Sequence, residues 1–362
     1  MMGSKHVATL LVLLLGGAAS VCAEDQEPLR IEVQPFVALP DDVRYPEGLA
    51  VNPDNGDLYV GTFDMRAPSS ERRNQLLRLS ADGRLLARKA FGETPLTGLE
   101  YAGGQLYILN FGSAQLQRLP AGFAADTPVE VLAEFKALIP PAPPSRFVDN
   151  PDGSRDEIRF GSSGVAAPNG MVFDRVGNLY VSDSFQGAVY RIADAANCSP
   201  CTVEVIARDP LLATTGYLPF GANGLAFSED EHTLYINNAG DGRVLRMAMP
   251  DGTATVLAES VPGADGLLFH DGLLWVVANQ VDQILALNEQ GRVVARAGGF
   301  LGIAADGSPR GLLFPASTAV QGRRMIVTNM SLPLTAAQGD EWEERVTRWN
   351  LVSFELPRKR GN

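Results

Sequence analysis

The sequence predicts an all-β chain folded as a six-bladed β-propeller with four-stranded antiparallel blades. Three observations carry that expectation. The first is a short phrase repeated six times: Pro46-Glu47-Gly48-Leu49-Ala50, Leu96-Thr97-Gly98-Leu99-Glu100, Pro168-Asn169-Gly170-Met171-Val172, Ala222-Asn223-Gly224-Leu225-Ala226, Ala264-Asp265-Gly266-Leu267-Leu268 and the degenerate Pro315-Ala316-Ser317-Thr318-Ala319. Repetition of this kind marks a radial or solenoid architecture. The second is that each phrase runs through a tight turn into another apolar run, as a β-hairpin does. The third is that no long helix-period pattern follows the N-terminal segment.

The elements follow in order. In the first repeat, residues 49–51 lead through Asp54-Asn55-Gly56 to Leu58-Tyr59-Val60. In the fifth, residues 267–269 lead through His270-Asp271-Gly272 to Leu274-Trp275-Val276-Val277. Third strands follow with half-buried alternation, as in residues 188–192 and 243–247. Fourth strands follow in several copies, such as Thr255-Val256-Leu257 and Val293-Val294-Ala295. The sixth repeat lacks a fourth strand of its own, and its third is expected over residues 345–356. The strand-like segment 29–39 is expected to pair into the last blade and close the ring, so that only short sheet edges remain.

The N-terminus reads as a signal peptide. Lys5 supplies the positive charge, residues 7–15 the apolar run, and Val21-Cys22-Ala23 a cleavage site. The run is too short to span a bilayer. Two regions follow: residues 1–23, cleaved, and residues 24–362, a single propeller domain. Cleavage removes one of 30 basic residues and none of the 42 acidic ones, leaving a net charge of −13. Such acidity argues against nucleic acid or an anionic membrane as partner. It fits a periplasmic or secreted protein. Cys198 and Cys201 then remain in Cys-Ser-Pro-Cys; without a second pair for zinc, an oxidising compartment makes them a small disulfide.

Antiparallel pairing places the second residue of each phrase on the same face as the end of the second strand. Those ends are read as Thr62, Asn110, Asp183, Asn238, Asn279 and Asn329, all polar. The long connections 139–167, 211–222, 298–314 and 331–344 fall on that face as a pocket rim. Glu47, Asn169, Asn223 and Asp265 would converge on the axis there. Asn-Gly and Asp-Gly are also ordinary turn dipeptides. At equivalent positions of four repeats, however, they compose a site. Two carboxylates held together without a cation would repel until one took up a proton. A divalent cation removes that conflict, and an all-oxygen set with amide carbonyls favours calcium, though another divalent cation would fit, zinc less well.

The four motifs together resemble the SMP-30/gluconolactonase/LRE family, related to the paraoxonases and to diisopropylfluorophosphatase-type enzymes. The resemblance spans roughly residues 35–356. It implies a six-bladed propeller with calcium held by Glu47, Asn169, Asn223 and Asp265, and Asp265 as general base or nucleophile. It implies an exported calcium-dependent hydrolase of a lactone or related ester, with a small-molecule substrate such as a lactone or sugar acid derivative. A non-catalytic calcium-stabilised propeller binding a small ligand or protein, and an aryl-ester or phosphotriester hydrolase, are the alternatives. Thr97 stands where the paraoxonase branch has a His. The two remaining histidines, His232 and His270, fall in hairpin turns on the opposite face, which argues against a His dyad. Thr97, Asn110, Asp183, Asn238 and Asn279 are the candidate substrate contacts. Arg66, Arg146 and Arg310 on the rim are candidates for an acid group, and Phe111, Phe185, Tyr217 and Phe220 for an apolar wall.

Overall fold

A computed structural model describes residues 27–250, 252–335 and 338–357; the segment read as a signal peptide lies outside the described residues. Six blades surround a central channel. Blade one is Pro46–Val51, Leu58–Thr62, Asn74–Leu79 and Leu85–Gly92, from the axis outward. Blade two is Leu96–Ala102, Gln105–Asn110, Gln115–Pro120 and Glu130–Glu134. Blade three is Pro168–Phe173, Leu179–Asp183, Ala188–Ile192 and Glu204–Arg208. Blade four is Ala222–Phe227, Thr233–Asn238, Arg243–Ala248 and Ala254–Ala258. Blade five is Ala264–His270, Leu273–Ala278, Gln283–Leu287 and Val293–Ala297. Blade six is Pro315–Gln321, Arg324–Asn329 and Asn350–Glu355, completed by the N-terminal strand Gln34–Ala38.

The expected closure by the N-terminus is present, with one difference. The segment divides: Gln34–Ala38 runs antiparallel to Asn350–Glu355, while Leu29–Ile31 runs parallel to Val293–Ala297 on the outside of blade five. The chain start therefore clasps two neighbouring blades. The expected third strand of blade six is also shorter than residues 345–356, because Trp342–Arg345 forms a 3-10 turn before it.

The repeated phrase is an inner strand with an irregular start. In every blade its first residue pairs with the end of the second strand: Pro46 with Thr62, Leu96 with Asn110, Pro168 with Asp183, Ala222 with Asn238, Ala264 with Ala278 and Pro315 with Asn329. Regular pairing resumes only at the fourth residue, after a register shift across the second and third. A bulge of this kind redirects a side chain, and here it falls on the variable letter.

In five of the six phrases the third residue is glycine, for a steric reason. A Cβ on Gly48 would lie 2.1 Å from the carbonyl oxygen of Thr97, on Gly98 2.7 Å from that of Asn169, and on Gly170 2.4 Å from that of Asn223. On Gly224 it would lie 2.5 Å from Asp265 O, and on Gly266 2.5 Å from Ala316 O. Each glycine thus abuts the peptide of the variable residue in the next blade. The inner strands crowd around the axis as closely as their backbones allow.

Apolar side chains fill the spaces between blades. One cluster joins Leu58 and Val60 of blade one to Ile326 and Leu351 of blade six. Equivalent clusters lie at the other five junctions, such as Leu109 with Val181, Ile236 with Val189, and Trp275 with Phe354. Side chains that alternate across each strand lie against the two neighbouring blades, so the ring is one continuous packed structure. A seventh cluster, built on Phe63, Phe314, Ala316 and Met330, belongs to no such junction. It covers one end of the channel.

Candidate active site at the propeller axis

Glu47, Asn169, Asn223 and Asp265 come together at the axis, all buried at 5–8 % exposure. They form the boundary between two cavities that share them. On the hairpin side lies a cavity of about 300 Å³ that also contacts Glu100, Ser317 and Thr318. On the loop side lies a narrow slot of about 50 Å³, roofed by the seventh apolar cluster.

The carbonyls of the ring are held from the preceding blade. Thr328 Oγ1 donates to Glu47 O at 3.0 Å, and Ser182 Oγ donates to Asn223 O at 2.6 Å. Asn237 Nδ2 donates to Asp265 O at 2.8 Å and to Gly266 O at 3.1 Å. Each holder stands one residue before the end of its second strand and is wholly buried. Sequence reasoning missed these three; the signal for them was a polar residue at the penultimate strand position in three repeats.

The side chains of the ring are held from the loop face. Asn279 Nδ2 donates to Asp265 Oδ2 at 3.1 Å, and Asn169 Nδ2 donates to Ser184 Oγ at 3.0 Å. Ser184 in turn donates to Ala222 O at 2.7 Å. With its NH2 group engaged, Asn169 is left with its oxygen to offer to a ligand.

Charge makes the ring unstable on its own. Burial raises the Asp265 carboxyl to about 7, against hydrogen bonds from Asn279 and Asn223 that lower it. Burial and then repulsion from Asp265 push Glu47 well above the usual carboxylate range. No Lys or Arg lines either cavity among the described residues. Glu47 Oε2 and Asn279 Oδ1 are buried acceptors without a hydrogen-bond partner. Two carboxylates, two amides and an orphaned carboxylate oxygen suit a hard divalent cation, which would supply the missing positive charge. Among the described residues there is no cluster of three or more His, Cys, Asp or Glu suited to a metal, so the amides are essential to such a site.

The candidate substrate contacts divide sharply. Asp183 is fully buried: Oδ1 accepts from the backbone N–H groups of Ala167, Phe185 and Gln186, and Oδ2 from the Gln186 amide and the Tyr190 hydroxyl. Asn238 donates to Leu211 O and Ala213 O and accepts from Asp241 N. Asn110 donates to Thr94 and Gln117 and accepts from Ser113 N. These three fasten the loops to the blades and do not line the slot. Thr97 does line it, with its hydroxyl donated to Pro168 O at 2.9 Å. Asn279 lines it too, and for a register reason. Blade five ends its second strand at Ala278, so Asn279 is not the equivalent of Asn110, Asp183 and Asn238 but of the residue after them. With a period of two, that single step turns the side chain from the fold toward the axis.

The other candidates also separate. Phe220 lines the slot, and Phe111 and Phe185 stand behind it, with ring centroids 6.2 and 5.6 Å from that of Phe220. Tyr217 is 72 % exposed and away from it. Arg146 is paired with Asp241 at 2.6 Å, Arg66 donates to Thr335 O, and Arg310 is exposed. His232 is exposed, and half-buried His270 stands 3.6 Å from Asp271 at the hairpin face. Cys198 and Cys201 are joined by a disulfide, with their Cα atoms 4.9 Å apart.

No protein-family model matches the chain, and no curated protein matches it. Among solved structures, a luciferin-regenerating enzyme superposes with a TM-score of 0.58 at 16 % identity, over 89 % of this chain and 95 % of that one. Regucalcin from Agrobacterium tumefaciens, described as a calcium-binding protein, does so at 0.59 and 15 % identity, over 90 % and 95 %. A gluconolactonase from Xanthomonas campestris does so at 0.50 and 16 % identity, over 88 % of each. These are the relatives that the sequence resemblance implies. At such identities the likeness establishes the architecture, a six-bladed β-propeller.

Proposed function

We propose that this chain is an exported, calcium-dependent hydrolase of a lactone or related ester, acting in the periplasm or outside the cell. The observation that carries the reading is the pair of buried carboxylates, Glu47 and Asp265, beside two amides and, among the described residues, with no cationic side chain. Glu47, Asn169, Asn223 and Asp265 would hold calcium. When bound, calcium would supply Lewis-acid polarisation of the carbonyl whose carbon is attacked. The gluconolactonase and the calcium-binding protein among the structural neighbours support this choice at the level of the fold. The Cys198–Cys201 disulfide accords with an oxidising compartment.

Asp265 is the residue assigned to the chemistry. As general base, it takes a proton from the water that adds to the lactone carbonyl; the ring C–O bond then breaks and the proton passes to the departing alkoxide. As nucleophile, it would add to the lactone carbonyl carbon, the ring C–O bond breaking and the departing alkoxide taking a proton from solvent; water then cleaves the acyl-enzyme to the acid and the free carboxylate. Asn279 holds Oδ2 in place and thereby orients the carboxylate. The apolar roof keeps bulk water from the reacting group.

The test is lactone hydrolysis followed by pH-stat, on protein freed of metal by a chelator and then on the same protein with calcium restored. Turnover that vanishes and returns supports the reading. A calcium-loaded, folded protein inert toward lactones and esters refutes it and leaves a ligand-binding propeller.

A further inference from the structure

The loop-side slot carries more information than its floor. Six interblade clusters hold the six junctions, so the seventh cluster is not needed to close the ring. Its side chains come from separate loops: Phe63 follows the second strand of blade one, Phe220 precedes blade four, and Phe314 and Met330 flank blade six. Leu332 and Leu334 reach over from the 331–344 connection.

The residues one step past the second-strand ends line this slot, reach the ring or, for Phe111, pack behind the slot. In chain order they are Phe63, Phe111, Ser184, Ala239, Asn279 and Met330. Four are apolar. Of the two polar ones, Ser184 is engaged with Asn169 and Ala222, and Asn279 gives its NH2 group to Asp265, which leaves Asn279 Oδ1 as a single acceptor beside the ring. Thr97 gives its proton to Pro168 O. The polar strand ends that would read hydroxyl groups are turned into the fold, as Asp183 and Asn238 are, and among the described residues no guanidinium reaches the slot.

We infer that the substrate is a lactone or ester bearing an apolar arm, alkyl or aryl, and not a polyhydroxylated sugar lactone. The inference rests on the proposed hydrolase reading. The reacting carbonyl lies at the polar floor formed by the axial ring, and the arm lies against Phe63, Phe220, Phe314, Met330, Leu332 and Leu334. Hydroxyl groups along the arm would exchange water for an apolar wall, since the unpartnered acceptors Glu47 Oε2 and Asn279 Oδ1 belong to the floor and not to the roof.

The experiment has a binding arm and a kinetic arm, both on the full mature chain loaded with calcium. In the first, isothermal titration compares two non-hydrolysable lactams of equal ring size, one carrying a pentyl arm and the other hydroxylated. The pentyl lactam is expected to bind at least about 30-fold tighter, with a negative heat-capacity change. That ratio should fall roughly tenfold in Phe220→Ala, and likewise in Leu334→Ser, which lies outside the blades. Equal or tighter binding of the hydroxylated lactam, no binding of the pentyl lactam, or a ratio unmoved in both variants overturns the inference. In the second arm, the matching lactones should show the same order in kcat/KM. If neither lactone turns over while the pentyl lactam still binds selectively, the hydrolase reading fails and the apolar specificity of the slot stands.

Discussion

Substituting alanine for Gly224 tests how tightly the fold and the candidate metal ring are tied together. The new methyl carbon would lie 2.5 Å from Asp265 O, 2.6 Å from Leu267 N and 2.9 Å from Gly266 C. A carbon–oxygen contact is comfortable at about 3.3 Å, so the strands must part by roughly 0.8 Å. All three atoms are backbone, and no side chain can swing aside. The strand of Asp265 is held by two hydrogen bonds from Asn237, and Asn223 O is held by Ser182. Overpacking of this kind costs about 1–3 kcal/mol, and rigid neighbours place this case near about 3. With an unfolding entropy of about 2.1 cal/mol/K per residue, a chain of this length loses roughly 4 °C in Tm. Because the displaced peptides carry Asn223 and Asp265, calcium affinity should fall at least about tenfold. Gly161 is the control: nothing lies within 4 Å of its Cβ position and its φ is not positive. Gly161→Ala should change stability by less than about 1 kcal/mol. Thermal denaturation by circular dichroism and calcium titration read both variants. A Gly224→Ala protein with the parent's Tm and calcium affinity would refute the account of the crowded axis.

Other expectations concern single side chains. Burial raises the carboxyl of Glu100 to about 7 from 4.5. A folded value above the unfolded one means that stability declines as pH rises from about 4.5 through 7, because the unfolded chain releases its proton first. Glu100→Gln should therefore match the parent near pH 4 and exceed it by about 2 kcal/mol at pH 8, the figure being reduced because Glu100 borders a cavity; denaturant titrations at the two pH values check this. Asp265→Asn should lower kcat by about 10²-fold or more in lactone assays while leaving the circular dichroism spectrum unchanged. Asn279→Ala removes a bond that lowers Asp265, so the acid limb of the pH–rate profile should move to higher pH. Asp183→Ala strands several buried donors and should cost at least about 3 kcal/mol in a denaturant melt.

The ring of blades and the four side chains gathered at its axis were legible because both reside in one repeated phrase. The glycine after five of the six variable letters recorded the crowding of the axis, and Asn-Gly or Asp-Gly recorded the turns. The side-chain facing at the strand ends was less legible. Asp183, Asn238 and Asn279 look alike in the sequence, yet pairing puts the first two into the fold and the third against Asp265. A one-residue difference in where the second strand ends decides this, and composition does not record it. The split of segment 29–39 was hidden for a similar reason. A short parallel pairing on the outside of a blade leaves no alternation of its own. The apolar roof was partly visible in Phe111, Phe185 and Phe220, but Leu332 and Leu334 lie in a loop without periodicity, and only the fold brings them over the channel.

The central claim is that Glu47, Asn169, Asn223 and Asp265 hold one calcium ion at the axis. Isothermal titration of calcium into the metal-free mature protein at pH 7.5 tests it most directly, alongside Glu47→Gln and Asn223→Ala. The account predicts one axial site per chain, a Tm that rises with calcium by mass action, and loss of that site in both variants with the fold retained. Titration curves that are the same in the parent and in both folded variants would contradict it.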